Sequence, residues 1–382
     1  MSKDSMNSQN SERGSVSDVA EVEDLKLTDS AQGKSYSQSR LVMRRFFRHG
    51  PAMTSLVILF ATSVLAFSAA GIGPIAGWWD EPYRLQPGAT TYNGGEPTWF
   101  SDEGILGPHP FGQDGLPRDY FARVMRGTSN SLIIAFTIAI VSSVIGIALG
   151  AIAGFFRGWI ESVIMRLTDF VIVVPVIMLA AILGPLAGSN IWILALILGC
   201  VTWTSMARLV RAEVLALRER EFVAAAVAMG ASASRIIFKH MIPNSIGVII
   251  VNLSFAVAAG VLLESSLSYL GLGVRSPEVS LGMLIESNEQ AMNTRPHLFW
   301  FPAFFIVLIA LTVNFIGDGL RDAFDPRRQR TGDRRPDLLS VLGLRGLSIA
   351  IERRKRANRE RDYATRREPD DSAATDDQGR TP

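Results

Sequence analysis

Glu221-Phe-Val-Ala-Ala-Ala-Val-Ala-Met-Gly230, continuing to Ile242-Pro243-Asn244, is the stretch on which the reading of this chain turns. Ala224, Ala225, Ala226 and Ala228 favour helix and keep its profile narrow. Gly230 suits a left-handed C-terminal cap, and Ser232 can cap a second helix running to about Met241. Pro243 is expected to break that helix before the next apolar segment. Helix, glycine, helix, proline makes an L-shaped element joined to whatever follows it. A helix of so narrow a profile fits a groove in another protein. The plainer alternative is an amphipathic loop resting on a membrane.

The surroundings of this stretch set the class. A burst of charge precedes it (Arg208, Arg211, Glu213, Arg218, Glu219, Arg220), and before that comes a long apolar segment. Hydrophobic residues make up 48% of the chain and the mean hydropathy is +0.23, high for a soluble protein of 382 residues. They concentrate in six blocks, at about 52–72, 131–155, 167–186, 191–210, 245–270 and 298–317. Each is about the length of helix that crosses a bilayer, roughly 20 residues. Lipid cannot satisfy exposed backbone groups, so helices are the expected spanning form. The expected fold is therefore an all-α integral membrane protein with six transmembrane helices.

Charge placement orients these spans. Arg40, Arg44, Arg45 and Arg48 precede the first, Arg157 and Arg166 flank the turn after the second, and Arg321, Arg327, Arg328 and Arg330 follow the last. Positive residues at span ends mark the cytoplasmic side. Both termini and the 211–244 loop are thus expected inside, and the 73–130 and 271–297 loops outside. Trp78, Trp79 and Trp99 in the first outer loop suit either a docking partner or anchoring at the membrane interface.

This gives a cytoplasmic tail at 1–39, a basic segment with the first span at 40–72, the outer loop at 73–130, a core at 131–320 and a second tail at 321–382. Residues 1–39 are rich in Ser, Asp, Glu and Gln and read as disordered, as does 353–382, dense in Arg and Asp. Asp337–Glu352 is moderately apolar and is a surface-lying helix or a partly ordered tail. No secretory signal peptide is evident, since the first apolar block starts late and runs long.

The sequence speaks against several functions. Lys plus Arg number 38 against 36 Asp plus Glu, a near balance that argues for no polyanionic partner such as nucleic acid. A single cysteine, Cys200, leaves no disulfide framework and no metal cluster. Gly33-Lys34-Ser35 ends like a phosphate-binding loop, but Thr28 stands where that loop needs glycine. HExxH, CxxC and GxSxG are likewise missing, so no means of hydrolysing ATP is read on this chain.

Within the spans, Gly146, Gly150 and Gly154 fall at i, i+4 and i+8, one face along which another helix can approach closely. Generic glycine enrichment is the alternative. Pro175 should kink or locally open the third span, by default as a static kink. Glu264, followed by Ser265, Ser266 and Ser268, lies deep in the fifth span. It is either a functional carboxylate on a translocation path or an interhelical hydrogen-bonding group. Asp169 is expected to pair with Arg166, one turn away.

With these residues in view, the 221–243 stretch resembles the EAA loop of ABC importer permeases: Glu-Ala-Ala, three residues, glycine, and a later hydrophobic-Pro. It stands here as Ala224-Ala225-Ala226, Gly230 and Ile242-Pro243, with Ala224 replacing the family's usual glutamate. Gly112-Gln-Asp-Gly-Leu-Pro-Arg-Asp119 is similar to the segment ahead of the family's second span, departing at Gln113 and Pro117. Met165–Asp169 with Pro175, Leu267–Gly273, Asn314–Asp322 and Asp325-Pro326-Arg327 extend the likeness across roughly 40–327. Together they resemble the C-type permease subunits of dipeptide, oligopeptide and nickel importers.

The resemblance implies a type I ABC importer fold in a bacterial plasma membrane and a pore-forming, non-catalytic subunit. It also implies a second homologous permease, two cytoplasmic ABC ATPases that bind ATP and magnesium, and an extracytoplasmic substrate-binding protein. No cofactor is expected on this chain. Glu221, Phe222, Ala224, Ala225, Ala226, Gly230, Ile242 and Pro243 are the expected ATPase-coupling residues. Glu264, Ser265 and Pro175 are the candidates for the translocation path. The implied substrate is a di- or oligopeptide, with nickel or another small solute as the alternative. An autonomous ion-coupled transporter using Glu264 is a reading from another class.

Overall fold

The computed structural model describes residues 38–325 apart from 72–76, 82, 88 and 99–106. Both tails, the Gly33-Lys34-Ser35 segment, Asp337–Glu352 and Trp99 lie outside the described residues. The described chain is helical. A short basic helix, α1 (Gln38–Arg48), leads into α2 (Gly50–Ala70), whose first turn carries Pro51 and is capped by His49 through a 3.2 Å bond from the Ala52 amide. Then come α3 (Tyr120–Phe156), α4 (Gly158–Val173), α5 (Val176–Leu183) with a short 3₁₀ extension through Ala187, α6 (Ile191–Val201) and α7 (Thr204–Arg218). The short α8 (Glu221–Ala228) is followed by α9 (Ala233–Tyr269), α10 (Leu281–Asn288) and α11 (His297–Phe324).

Four helices (α2, α3, α9 and α11) are long and apolar enough to cross a membrane unbroken. Two further helix pairs pass the same test only together and are bent: α4 and α5 meet at 84°, α6 and α7 at 46°. Counting each bent pair as one span brings the total to the six expected from sequence.

At the first break, Pro175 has no amide hydrogen to donate and forces Val174 into extended backbone (φ −82°, ψ 123°). Pro175 then caps α5, its carbonyl accepting from Met178 at 2.9 Å. The kink expected from sequence is a complete interruption of the helix. At the second break, the Thr202 hydroxyl donates back to the Leu198 carbonyl at 3.0 Å, a bond that tends to bend helices.

Pro243 behaves otherwise than expected. It does not end the helix that starts after Ser232; helical structure runs from Ala233 to Tyr269. A turn of π-helix at Ile237–Met241 precedes it, and Pro243 sits in the first turn of the α-helical segment that follows. The wider turn accommodates a residue that cannot donate to the ladder.

The spans pack around α3. Its glycine face takes the backbone of α7: a Cβ on Gly146 would stand 2.6 Å from that of Met206, and one on Gly154 would stand 2.9 Å from the Arg211 carbonyl oxygen. Such contacts are closer than real Cβ atoms make, so only glycine admits this approach. On the outer half, Tyr120, Met125 and Leu132 of α3 form one apolar core with Val261 of α9, Leu281 and Leu284 of α10 and Ile309 of α11. Gly150→Val should therefore cost about 1–3 kcal/mol by overpacking. The expected readout is a lower unfolding temperature of the detergent-purified protein, with membrane insertion retained.

Candidate functional site

The element at 221–243 is built from the inside outwards. Val223 and Ala226, three residues apart on α8, are 1% and 3% exposed. They enter an apolar cluster with Met206, Val210 and Val214 of α7 and Ile236, Ile237, Met241 and Ile249 of α9. The helix ends in a Schellman motif: Gly230, at φ +76°, donates to the Val227 carbonyl at 2.9 Å, and Ala231 to that of Ala226 at 3.1 Å. The two limbs of the L are thus fastened to each other and to two spans.

What remains exposed is a second, outward face. Glu221, Phe222, Ala224, Ala225 and Gly230 are exposed, as are Val227 and Met229, the last at 81%. Phe238, on the π turn, adds another apolar side chain at 71%. Ala226 points the other way, into the chain's own core. Ile242 is half-buried and Pro243 exposed. Sequence reasoning missed Val223, Val227, Met229 and Phe238. The signal was a pair of branched residues at Val223 and Val227 flanking three alanines that look alike.

The stalk that carries this element is tied sideways to α4. Arg208 of α7 donates to Asp169 at 2.6 Å, and Arg211 Nε to Glu161 at 2.7 Å. Below them, Arg157 meets Glu219 at 2.7 Å. Asp169 therefore pairs across helices with Arg208, not along its own helix with Arg166. Each exposed pair contributes little, about 0.2–1 kcal/mol, but they hold register between the two helices.

Both breaks open on the same space. A cavity of ≈ 520 Å³ is lined by Val174, Pro175 and Val176 at the first break and by Val201, Thr202, Thr204 and Ser205 at the second. Ile138 and Ser142 of α3 and Asn252, Phe255 and Leu263 of α9 complete it. Its lining carries hydroxyls and one amide but no charged side chain. The faces flanking it are apolar and open, with Phe170, Val173, Ile182 and Leu186 all at least 70% exposed.

Pro175 lies on this cavity; Glu264 and Ser265 do not. Glu264 is fully buried, and its two oxygens accept from Ser131 of α3 at 2.8 Å and from Ser268 one turn along α9 at 2.7 Å. Ser131 also accepts from the Leu281 amide at 3.3 Å, which brings α10 into the node. Of the two roles left open by sequence, this geometry favours the interhelical one.

The outer surface holds a second polar knot. Asp114, 2% exposed, takes Arg118 Nε at 2.7 Å and also the buried guanidinium of Arg123. Asp119 caps α3, accepting from the Ala122 amide at 2.6 Å, and also meets Trp79 at 3.0 Å and His109 at 2.8 Å. Trp79 is spent on this cap, whereas Trp78 is 52% exposed. The knot fixes where α3 begins and ties the outer loop to it.

Four long apolar helices and two bent helix pairs around an uncharged cavity, with a short helix rooted in two of them, suit a membrane transport subunit. The family model described as "binding-protein-dependent transport system inner membrane component" matches residues 146–330. The oligopeptide transport system permease protein OppC of Mycobacterium bovis is 38% identical over 294 residues, 76% of this chain and 95% of that protein. OppC of Haemophilus influenzae is 35% identical over 313 residues, 82% of this chain and 94% of its own. Among solved structures, the inward-facing MetNI methionine ABC transporter has a TM-score of 0.42 at 18% identity, covering 54% of this chain and 98% of that one. The chain belongs to the inner-membrane permease family of ABC importers and is a multi-pass protein of the bacterial plasma membrane.

Two substitutions test the polar nodes. Asp114→Ala leaves Arg123 buried without its partner and should cost about 3–5 kcal/mol. Adding Arg123→Met removes the stranded charge, and thermal unfolding in detergent should show much of the loss recovered. At the buried node, Glu264→Gln keeps an acceptor for one of the Ser131 and Ser268 hydroxyls and offers the other an N–H that its oxygen can accept, and should leave transport near normal. Glu264→Leu strands those hydroxyls and should lower stability by about 1–3 kcal/mol per unsatisfied group.

Proposed function

We propose that this chain is the pore-forming, non-catalytic permease subunit of an ATP-driven importer of di- or oligopeptides, and that α8 receives the stroke of a cytoplasmic ATPase. The observation that carries the reading is the two-faced α8. One face is sealed into the chain's own core by Val223 and Ala226, and the other presents Phe222, Val227 and Met229 outward. A helix so rooted cannot move without its spans. A push on it tilts α7, the Arg208–Asp169 and Arg211–Glu161 pairs carry that tilt to α4, and α4 ends at the break beside the cavity. The uncharged, partly polar lining suits a solute whose backbone offers amides and whose side chains vary.

The remaining subunits follow from this reading. A second homologous permease would cover the open apolar faces of α4 and α5 and close the pore. Two ATPases would bind ATP and magnesium, and this chain would bind neither. An extracytoplasmic binding protein would deliver solute to the outer loops, where Trp78 is exposed. The peptide class rests on the relatives' names.

Phe222→Ala with Met229→Ala removes exposed apolar groups and touches nothing in the core. It should weaken ATPase association by about 2 kcal/mol, roughly thirtyfold, and lower uptake in proportion. Deleting Phe222–Gly230 should abolish both. In each case the protein should insert normally; unchanged copurification of the ATPase after the deletion would refute the coupling role. Uptake of labelled di- and oligopeptides, with nickel as the competing solute, tests the substrate class separately.

A further inference from the structure

The helix α1 is not used by any of this. It contains Arg40, Arg44, Arg45 and Arg48 and no acidic residue, and it ends at the turn into the first span. Phe46 is buried and pins it beside Ala52 at the start of α2 and Ala323 near the end of α11. The sides away from that contact are open. Met43 and Phe47, one turn apart, are 59% and 55% exposed. Arg40, Arg44 and Arg48, again at successive turns, run alongside them. Arg44 and Arg48 are exposed and join no ion pair among the described residues.

An apolar edge beside a row of guanidinium groups, held at the cytoplasmic end of two spans, matches the boundary between acyl chains and phosphodiesters. We propose that α1 is a headgroup-binding helix selective for anionic phospholipid, with Arg44 and Arg48 on the phosphates and Met43 and Phe47 in the acyl boundary. Its charge and its two side-chain types complement that layer. Guanidinium forks match phosphate oxygens two at a time, which a neutral polar helix cannot do. The proposal rests on the orientation of the spans and not on the peptide reading.

The test uses the full chain reconstituted in vesicles of phosphatidylcholine alone or mixed with phosphatidylglycerol, with amide hydrogen exchange read over 38–48. Protection should rise in the anionic vesicles and fall again at high salt. Inorganic phosphate added to the phosphatidylcholine vesicles should leave exchange unchanged. Arg44→Gln with Arg48→Gln should reduce the lipid-dependent protection about thirtyfold, given the attraction of two arginines at an anionic surface. Lysine at both positions should restore most of it. Equal protection in the two vesicle types, or protection arising only when the ATPase is added, would overturn the proposal. Neither result bears on peptide uptake.

Discussion

The contact between the backbones of α3 and α7 is the constraint from which the rest follows. Membrane helices gain nothing from hiding apolar surface from lipid, so they associate through close van der Waals packing. Gly146, Gly150 and Gly154 supply the only geometry that lets Trp203, Ala207 and Arg211 come this near. That approach fixes the direction of α7, which then runs on as a stalk to Arg218. The stalk in turn supplies Met206, Val210 and Val214 to the apolar cluster that receives Val223 and Ala226. A larger residue on the glycine face would shift α8 without touching it.

The molecule divides stiffness unevenly. Spans one, two, five and six are continuous and share one apolar core, reinforced outside by the Asp114 and Asp119 knot and inside by the Glu264 node. Spans three and four are interrupted, expose broad apolar faces and meet at the cavity. Bending therefore meets less packing at the two breaks than in the continuous helices. Non-helical backbone at membrane depth is tolerated where it lines a cavity, and both breaks do so.

Much of this was legible in the sequence, and the failures share a cause. Block lengths marked the four long apolar helices and the two bent pairs, because the length of an apolar run is a local property of the chain. Gly230 was readable as a left-handed cap, since its φ of +76° excludes most other residues. The fate of Pro243 was not readable, because a π turn is a backbone rearrangement that no residue type announces. Asp169 looked paired with its neighbour Arg166, but the cation it meets is 39 residues away, brought there by the packing of α4 on α7. Among Ala224, Ala225 and Ala226, identical side chains gave no clue which one faced inwards. Only the partners on α7 and α9 decide that.

Ala224 bears on the coupling role proposed for α8. Its position is exposed, so a longer acidic side chain would fit without disturbing the fold. The element keeps its rigidity without that charge: its rigidity comes from Val223, Ala226 and the Schellman bonds at Gly230, all apolar or backbone. Apolar contact of this kind is insensitive to salt, whereas an exposed ion pair is screened within about 10 Å at ordinary ionic strength. In the coupling role proposed for α8, a stroke delivered through shape also acts in either direction, provided the partner grips both sides of the helix. Phe222 and Met229, exposed at either end of α8, with Phe238 on the second limb, give it those holds.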